Sequence, residues 1–203
     1  MNKKARIAVL VSGGGTNLQA LLDAQAAGKI KSGEIVFVVS NNPDAYAIQR
    51  SRRAGIETMV ITGKQTTFES ALLSTLDRHE IDLVILAGFM RILSADFISK
   101  YKGKILNVHP ALIPSFCGEG YYGLRVHEAA LARGVKVTGA TVHYVNEIPD
   151  GGPIILQKAV EVLPGDTPET LQKRVMERAE WILLPQAAEM VSAEIVGKEQ
   201  TDD

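Results

Sequence analysis

The 203-residue sequence is poor in the residues that build disulfide or metal-centred proteins. It has one cysteine, Cys117, and only 5% aromatic residues. A single cysteine excludes an internal disulfide and a site built from several thiolates. The histidines also lack the i, i+4 spacing of a zinc-binding helix; they are His79, His109, His127 and His143. We therefore expect no metal cofactor.

Long apolar runs and an excess of one charge are also missing. The longest runs, such as residues 81–90, fall well below the roughly 18 residues of a membrane-spanning helix. The apolar stretch after the basic N-terminus is too short for a signal peptide. The formal net charge is −1, and the Lys and Arg residues are scattered along the chain. We expect a cytoplasmic protein with neither a membrane nor a nucleic acid as partner.

Secondary-structure patterns in the first half indicate an α/β fold. A hydrophobic content of 46% at this length fits one domain over residues 1–203. Short β-prone segments alternate with helical patterns, which predicts a doubly wound, mostly parallel sheet covered on both faces. The predicted strands are residues 6–12, 34–40, 57–61, 82–87 and 104–108, and the predicted helices are 17–27, 43–54, 67–78 and 94–101.

The second half follows a different pattern. After a predicted helix at residues 126–133, two β-prone segments, 136–145 and 153–162, follow each other with no helix between them. This predicts an antiparallel C-terminal extension of the sheet. Residues 167–196 predict a long C-terminal helix with Pro168 at its first position and a kink at Pro185. The polar tail 197–203 is expected to fray.

Asn107, His109 and Asp150 are the strongest candidates for chemistry. Asn107 and His109 lie two residues apart at a strand end, and side chains at that spacing point the same way. The Pro-Asp-Gly-Gly turn at 149–152 exposes Asp150, which would set the protonation of an imidazole. Together they fit proton transfer and stabilisation of an oxyanion. A hydrogen-bonded strand end, and a turn acid that bonds only its own backbone, explain the same residues without chemistry.

The glycine-rich segment 12–17 follows the first predicted strand and opens the first helix. It has no Gly-Lys-Ser/Thr motif, and Leu18 stands where a dinucleotide-binding loop needs its third glycine. A helix N-terminus with free amides attracts a phosphate. We predict a phosphomonoester on a small substrate, with Thr16 and Asn17 adding side-chain donors. The alternative is a flexible turn in which Thr16 or Asn17 only caps the helix.

Residues 87–93 follow the fourth predicted strand, at the edge where open α/β sheets bind ligands. The backbone of Met90, Arg91, Ile92 and Leu93 would pair with the edge of a flat heterocycle while the apolar side chains wall its ring. An ordinary strand-to-helix connection, with Phe89 and Leu93 in the core, is the alternative.

Two other reactive side chains are interpreted as structural. His143 lies in an alternating strand pattern that explains it without a functional role. Cys117 lies in a segment rich in glycine and aromatics, residues 115–123, which we interpret as a mobile flap. The sequence shows no base beside Cys117 that would make it a nucleophile.

Taken together and in order, these motifs resemble those of the phosphoribosylglycinamide formyltransferases, folate-dependent enzymes of purine synthesis. The resemblance covers residues 5–190 and rests on the glycine loop with segments 86–93, 106–116, 139–145 and 150–155. It implies the formyltransferase fold. It also implies transfer of a formyl group from the co-substrate 10-formyltetrahydrofolate to the amine of 5-phosphoribosylglycinamide, also called glycinamide ribonucleotide.

Position by position, the resemblance implies a role for each candidate. A glutamate on the last helix meets the ribose hydroxyls in that family, and Glu180 matches it if one residue is inserted after Val175. An ionised Asp150 would raise the pKa of His109 and favour its protonated form. The implied sets are Asn107, His109 and Asp150 for catalysis, Gly15, Thr16 and Asn17 for the phosphate, and Met90, Arg91, Ile92 and Leu93 for the folate.

Another enzyme on the same fold is the nearest alternative, because methionyl-tRNA formyltransferases and formyltetrahydrofolate deformylases share the Asn, His and Asp. Those relatives carry an additional domain after or before this one. Here the positive and negative charges balance, the first predicted strand begins at residue 6, and the chain ends after its last helix. We therefore expect the small-molecule transferase. A non-catalytic ligand-binding module would have lost Asn107, His109 or Asp150, and all three are present. The oligomeric state stays open between monomer and homodimer.

Overall fold

The structure, a computed structural model, describes residues 3–199. Its strands are β1 (Ala5–Val11), β2 (Gly33–Ser40), β3 (Glu57–Val60), β4 (Leu83–Leu86), β5 (Ile105–His109), β6 (Val137–Tyr144) and β7 (Ile154–Glu161). They form one sheet in the order β3-β2-β1-β4-β5-β6-β7. The first five strands pair in parallel, and β6 and β7 are added antiparallel. The predicted mostly parallel sheet with an antiparallel extension is confirmed.

Seven α-helices in the described part of the chain accompany the sheet, and the first four connect the parallel strands. They are α1 (Thr16–Ala26), α2 (Ala47–Arg53), α3 (Gln65–Arg78), α4 (Ala95–Lys100), α5 (Leu124–Arg133), α6 (Pro168–Val175) and α7 (Trp181–Glu199). The prediction began α2 too early, because residues 43–46 form a turn before the helix. Within residues 3–199, no helix is both long and apolar enough to cross a membrane.

Apolar side chains alternate along β1 and supply a core on each face of the sheet. Ile7 and Val9 pack in one cluster with residues of α1, α2 and α7. Ala8 and Leu10 pack in the other with residues of α3 and α4. Helices therefore cover both faces, as the doubly wound prediction requires. That residues 1–203 form a single domain stays a prediction.

The C-terminal helix departs from α geometry at Met176–Glu180, which forms a π-helical turn between α6 and α7. The N–H of Trp181 bonds to the carbonyl of Met176, five residues back. Such a turn accommodates one extra residue within a continuous helix. The one-residue insertion inferred after Val175 therefore has a structural counterpart.

The start of this helix, its internal proline and its end were also predicted. Pro168 is at its first position and Thr167 caps it, as Pro at that position favours. Pro185 lies inside α7 and does not end the helix. Residues 197–199 belong to α7, which extends to Glu199, and the fraying of the tail stays a prediction. Residues 200–203 lie outside the described part of the chain.

The strand order creates the crevice that holds the candidate site. From β1 the chain proceeds to β2 and β3 on one side and then to β4 and β5 on the other. Ligands bind outside the carboxyl ends of the strands at such a reversal. The glycine loop follows β1, residues 87–93 follow β4, and the N–H of Met90 donates to the Ser12 hydroxyl at 2.8 Å. Two distant motifs are thereby joined at one edge of the sheet.

Candidate active site

Asn107 is held by a histidine on the neighbouring strand. Asn107 of β5 and His143 of β6 are directly opposite in the antiparallel register. The Asn107 Nδ2 lies 3.2 Å from His143 Nε2. The His143 Nδ1 lies 2.9 Å from the Tyr144 carbonyl, so Nδ1 is the nitrogen that carries hydrogen. With the ring hydrogen on Nδ1, the His143 Nε2 accepts from the Asn107 amide, whose second hydrogen is left for another acceptor.

Asp150 lies between two imidazoles. Its Oδ2 is 3.4 Å from His109 Nδ1, and its Oδ1 is 3.5 Å from His143 Nε2. The N–H of Gly118 also donates to Oδ2 at 2.9 Å. The acid is therefore not a turn residue that bonds only its own backbone. Within residues 3–199, no three His, Cys, Asp or Glu side chains are grouped to hold a metal ion.

The surroundings of Asp150 favour its ionised form. Burial by itself would favour the neutral acid. The contact with His143, the hydrogen bond from the Gly118 N–H and the nearby His109 together outweigh burial and lower the pKa of Asp150 below its usual value. The carboxylate is thus a fixed negative charge at neutral pH.

The charge of Asp150 raises the pKa of His109 as predicted, but the net shift of that pKa is downward, so the expected protonated form is not favoured. The His109 side chain is deeply buried, with a relative exposure of 4% for the residue. Burial lowers the pKa of His109, and this effect exceeds the opposing attraction of Asp150 and the hydrogen bond to Phe116. His109 therefore rests predominantly neutral at pH 7.

The second ring nitrogen of His109 is hydrogen-bonded to a loop carbonyl. The Phe116 carbonyl oxygen lies 2.8 Å from His109 Nε2, so this nitrogen donates to the loop. Cys117 in the same loop donates its thiol to the Pro114 carbonyl, and burial together with Asp150 raises the pKa of that thiol. A protonated thiol is a poor nucleophile, in line with the structural interpretation of Cys117. The mobility of this loop stays a prediction.

The glycine loop presents backbone donors at the start of α1. Gly15 precedes the helix with a left-handed φ of 72° and no side-chain cap, which excludes the capping alternative. A Cβ at Gly15 would lie 2.6 Å from the Cβ of Ala47, so the close packing against α2 requires glycine. The N–H groups of Thr16 and Asn17 belong to the first helical turn, and N–H groups there have no acceptor within the helix.

The side chain of Asn17 does not face open solvent. Its Nδ2 donates to Glu180 Oε2 at 2.7 Å. Glu180 lies in the π turn with a relative exposure of 6%, and burial raises its pKa to about 7 against the lowering effect of Asn17. The residue that the family resemblance singled out thus lies next to the glycine loop.

One cavity of about 770 Å³ brings most of the candidates together. Met90 and Ile92 at its wall are 56% and 71% exposed, whereas Leu93 is buried in the core as the alternative reading expected. Gly15 and Thr16 are not part of its lining, and Thr16 lines a second cavity instead. The candidates in the lining are Asn17, Met90, Arg91, Ile92, Leu93, Asn107, His109, Asp150 and Glu180.

His143 is the site residue that the sequence interpretation missed. Strand alternation explains its burial, but only the register of β6 against β5 shows that it faces Asn107. Gln65 does not line the cavity but contacts its wall, since its Nε2 donates to the Ile92 carbonyl at 2.8 Å. A prediction of the antiparallel register would have provided the signal for His143.

A doubly wound sheet whose switch-point cavity holds an amide, two imidazoles and an ionised carboxylate has the architecture of an α/β enzyme. The chain matches the formyl transferase family model over residues 5–187, and it belongs to that family.

Two curated relatives and one solved structure illustrate the similarity. Phosphoribosylglycinamide formyltransferase of Escherichia coli K12 is 43% identical over 83% of this chain and 79% of its own length. Human trifunctional purine biosynthetic protein adenosine-3 is 48% identical over 94% of this chain, which spans only 19% of that protein. The structure of glycinamide ribonucleotide transformylase 1 from Symbiobacterium toebii superposes with a TM-score of 0.87 and 42% identity, over 94% of this chain and 89% of the other.

Proposed function

We propose that the protein transfers the formyl group of 10-formyltetrahydrofolate to the amine of glycinamide ribonucleotide, a step of purine biosynthesis. The observation that carries the proposal is the single cavity that joins Asn107, His109 and Asp150 to the exposed wall at residues 90–93 and to Asn17 of the glycine loop. The names of the E. coli and S. toebii relatives support the choice of substrate.

Each end of the cavity suits one part of the two substrates. The phosphate binds beside Asn17 at the edge of the cavity, to the N–H groups of Gly15, Thr16 and Asn17, where the helix dipole favours an anion. The ribose hydroxyls donate to Glu180. The flat ring of the folate lies against residues 90–93, with the apolar side chains of Met90 and Ile92 along its faces. The amine and the formyl carbon then meet at Asn107 and His109.

The transfer proceeds by direct attack of the amine on the formyl carbon. A carbon–nitrogen bond forms to the substrate, the carbonyl oxygen becomes an oxyanion, and the bond to the folate nitrogen then breaks. The free hydrogen of the Asn107 amide donates to the oxyanion. His109 Nε2–H adds a second donor when it exchanges the Phe116 carbonyl for the substrate oxygen. No covalent enzyme intermediate is required.

Protons must also move for the reaction to balance. The attacking amine loses one proton, and the departing folate nitrogen gains one. Asp150 bridges His109 and His143, so an ionised carboxylate and a neutral imidazole lie side by side as proton acceptors. This pairing supports a role for Asp150 in setting the charge of His109 during the transfer.

Replacing His143 tests the importance of the Asn107 contact. His143→Phe removes the acceptor at 3.2 Å from Asn107 and is expected to lower kcat by at least about tenfold, because small misplacements of a catalytic group are costly. His143→Gln, which keeps a side-chain acceptor, should lose less. Steady-state kinetics with both substrates measures this, and thermal unfolding of each variant is the control. A His143→Phe enzyme with the wild-type kcat would contradict the role.

Glu180 gives a pH dependence to substrate binding. Hydroxyl donors bind the ionised carboxylate, and the pKa of Glu180 is raised to about 7. The KM for glycinamide ribonucleotide is therefore expected to rise below pH 7, towards tenfold per unit, and to level off above it. Glu180→Gln is the control, since any dependence that remains reports the substrate phosphate, whose second pKa is about 6. Equal KM values at pH 6 and 8 in the wild type would contradict this role.

The direct test of the function is an assay with both substrates. Purified protein with 10-formyltetrahydrofolate and glycinamide ribonucleotide is expected to form the formylated ribonucleotide and tetrahydrofolate in equal amounts. Folate alone should give little hydrolysis and no formyl-enzyme. Equal folate consumption with and without the acceptor would instead favour a deformylase, and binding of both ligands without turnover would favour a ligand-binding module.

A further inference from the structure

Arg50 of α2 is fixed against the glycine loop by several contacts. Its Nε donates to the Gly14 carbonyl at 2.8 Å, and its Nη1 donates to the Gln19 side chain at 3.0 Å. Its guanidinium lies 5.0 Å from the ring centroid of Tyr46. A side chain held on three sides has lost most of its rotamer freedom before any ligand binds, so a further hydrogen bond costs little entropy.

The glycine loop needs a cation that it does not contain. Residues 12–17 include neither Lys nor Arg, although a phosphomonoester carries a charge of about −1.5 to −2 at pH 7. The N-terminus of a helix contributes the equivalent of only about half a charge. On α6, Arg174 is already paired with Asp166. Arg50 contacts the loop directly and has the charge that the loop lacks.

Arg50 also lies close to Thr16, a residue of the proposed phosphate site. It lines a second cavity of about 580 Å³ together with Thr16, whereas Asn17 lines the main cavity. Thr16 and Asn17 are consecutive, so the N-terminus of α1 borders both cavities. Lys29, the other basic residue of the second cavity, comes after the far end of α1, about 16 Å along the helix axis.

We propose that Arg50 is a substrate-binding residue of the phosphate site, an inference that rests on the proposed function. Through Nε it holds the Gly14 carbonyl, and this keeps the following N–H groups turned towards the ligand. Its Nη2 has no hydrogen-bond partner within residues 3–199 and donates to a phosphate oxygen. Binding of the phosphate thus uses a preformed guanidinium on one side and the helix N-terminus on the other.

The test compares two arginines of the same helix. Arg53 also lies over the Tyr46 ring, at 5.8 Å, and donates to the Tyr46 hydroxyl, so Arg53→Gln removes the same charge from the same surface. Arg50→Gln is expected to raise the KM for glycinamide ribonucleotide about 10-fold to 100-fold, with kcat and the KM for the folate changed less than threefold. Arg50→Lys should fall between, and Arg53→Gln should match the wild type.

A binding measurement makes the result independent of catalysis. Calorimetric titration with ribose 5-phosphate is expected to show weaker binding for Arg50→Gln than for Arg53→Gln, with ribose as the uncharged comparison. Equal affinities for ribose 5-phosphate in the two variants would overturn the proposal. So would a loss of folate affinity in Arg50→Gln as large as the loss of ribose 5-phosphate affinity, since that pattern means general damage to the loop.

Two further outcomes remain decisive. If Arg50→Gln does not fold, Arg50→Lys replaces it in the same titration, because lysine keeps the charge but not the fork of donors. Wild-type affinity for ribose 5-phosphate in Arg50→Lys would then overturn the proposal. If the wild type binds ribose 5-phosphate but does not formylate glycinamide ribonucleotide, the proposed function fails while the titration still decides the role of Arg50.

Discussion

Alanine at Asn107 or at His109 is expected to lower kcat at least 10²-fold to 10³-fold, the usual cost of losing one oxyanion donor. The two side chains line the same cavity, and each has an N–H that can reach a carbonyl oxygen there. Each donor acts on charge that develops only in the transition state. We therefore expect the KM values of both substrates to change by less than the kcat.

Steady-state and single-turnover rates at saturating substrates measure this effect. His79→Ala is the matched control, because His79 stacks on Phe37 at 4.0 Å and does not line the cavity. If both donors hold the same oxyanion, the double alanine variant will be slower than either single variant but faster than the product of the two losses predicts. Retention of more than about a tenth of the wild-type kcat in His109→Ala would reject its role as an oxyanion donor.

Asp150→Asn is expected to lower kcat about 10²-fold or more, a loss within the range of acid–base catalysis. The variant keeps the size of the side chain but removes the charge between His109 and His143. Asp150 raises the pKa of His109 against the larger lowering effect of burial. Its neutralisation should lower the pKa of His109 further.

The pH–rate profile gives the sign of this effect. If neutral His109 is the active form, activity falls at acidic pH as His109 gains a proton. The acidic limb of kcat in Asp150→Asn should then move to lower pH than in the wild type, although the maximum is reduced. Asp96→Asn, at an exposed acid in the first turn of α4, is the control for a lost carboxylate. A limb that moves to higher pH would show that Asp150 does not act on His109 in this way.

The parts of the molecule that depend on local pattern could be predicted from the sequence. The alternation of β-prone and helical segments is sufficient for the parallel sheet, because each crossover helix follows from local periodicity. Asn107 and His109 share a wall of the cavity because a strand repeats every two residues. Asp150 could be selected because a Pro-Asp-Gly-Gly turn exposes its acid.

Other features depend on relations between distant segments. His143 faces Asn107 only because of the register between β5 and β6, which no local pattern specifies. The pKa of His109 depends on how deeply the fold buries it, and burial outweighs the charge of Asp150 that was visible in the sequence. The partner of Asn17 is 163 positions away on the π turn. The net shift of the His109 pKa could not be predicted, because its direction depends on the relative sizes of burial and of the attraction by Asp150.

The π turn between α6 and α7 changes the rotation of α7 about the helix axis relative to α6. One extra residue in an ordinary α-helix would rotate everything after it by about 100°. Leu171 and Val175 before the turn and Leu184 and Ala188 after it are all fully buried on the same core. The irregular turn therefore absorbs a change in chain length without rotating α7 away from the sheet. Ala179 of the turn is itself fully buried on this core, and the turn thereby places the neighbouring Glu180 beside Asn17 while both apolar faces stay packed.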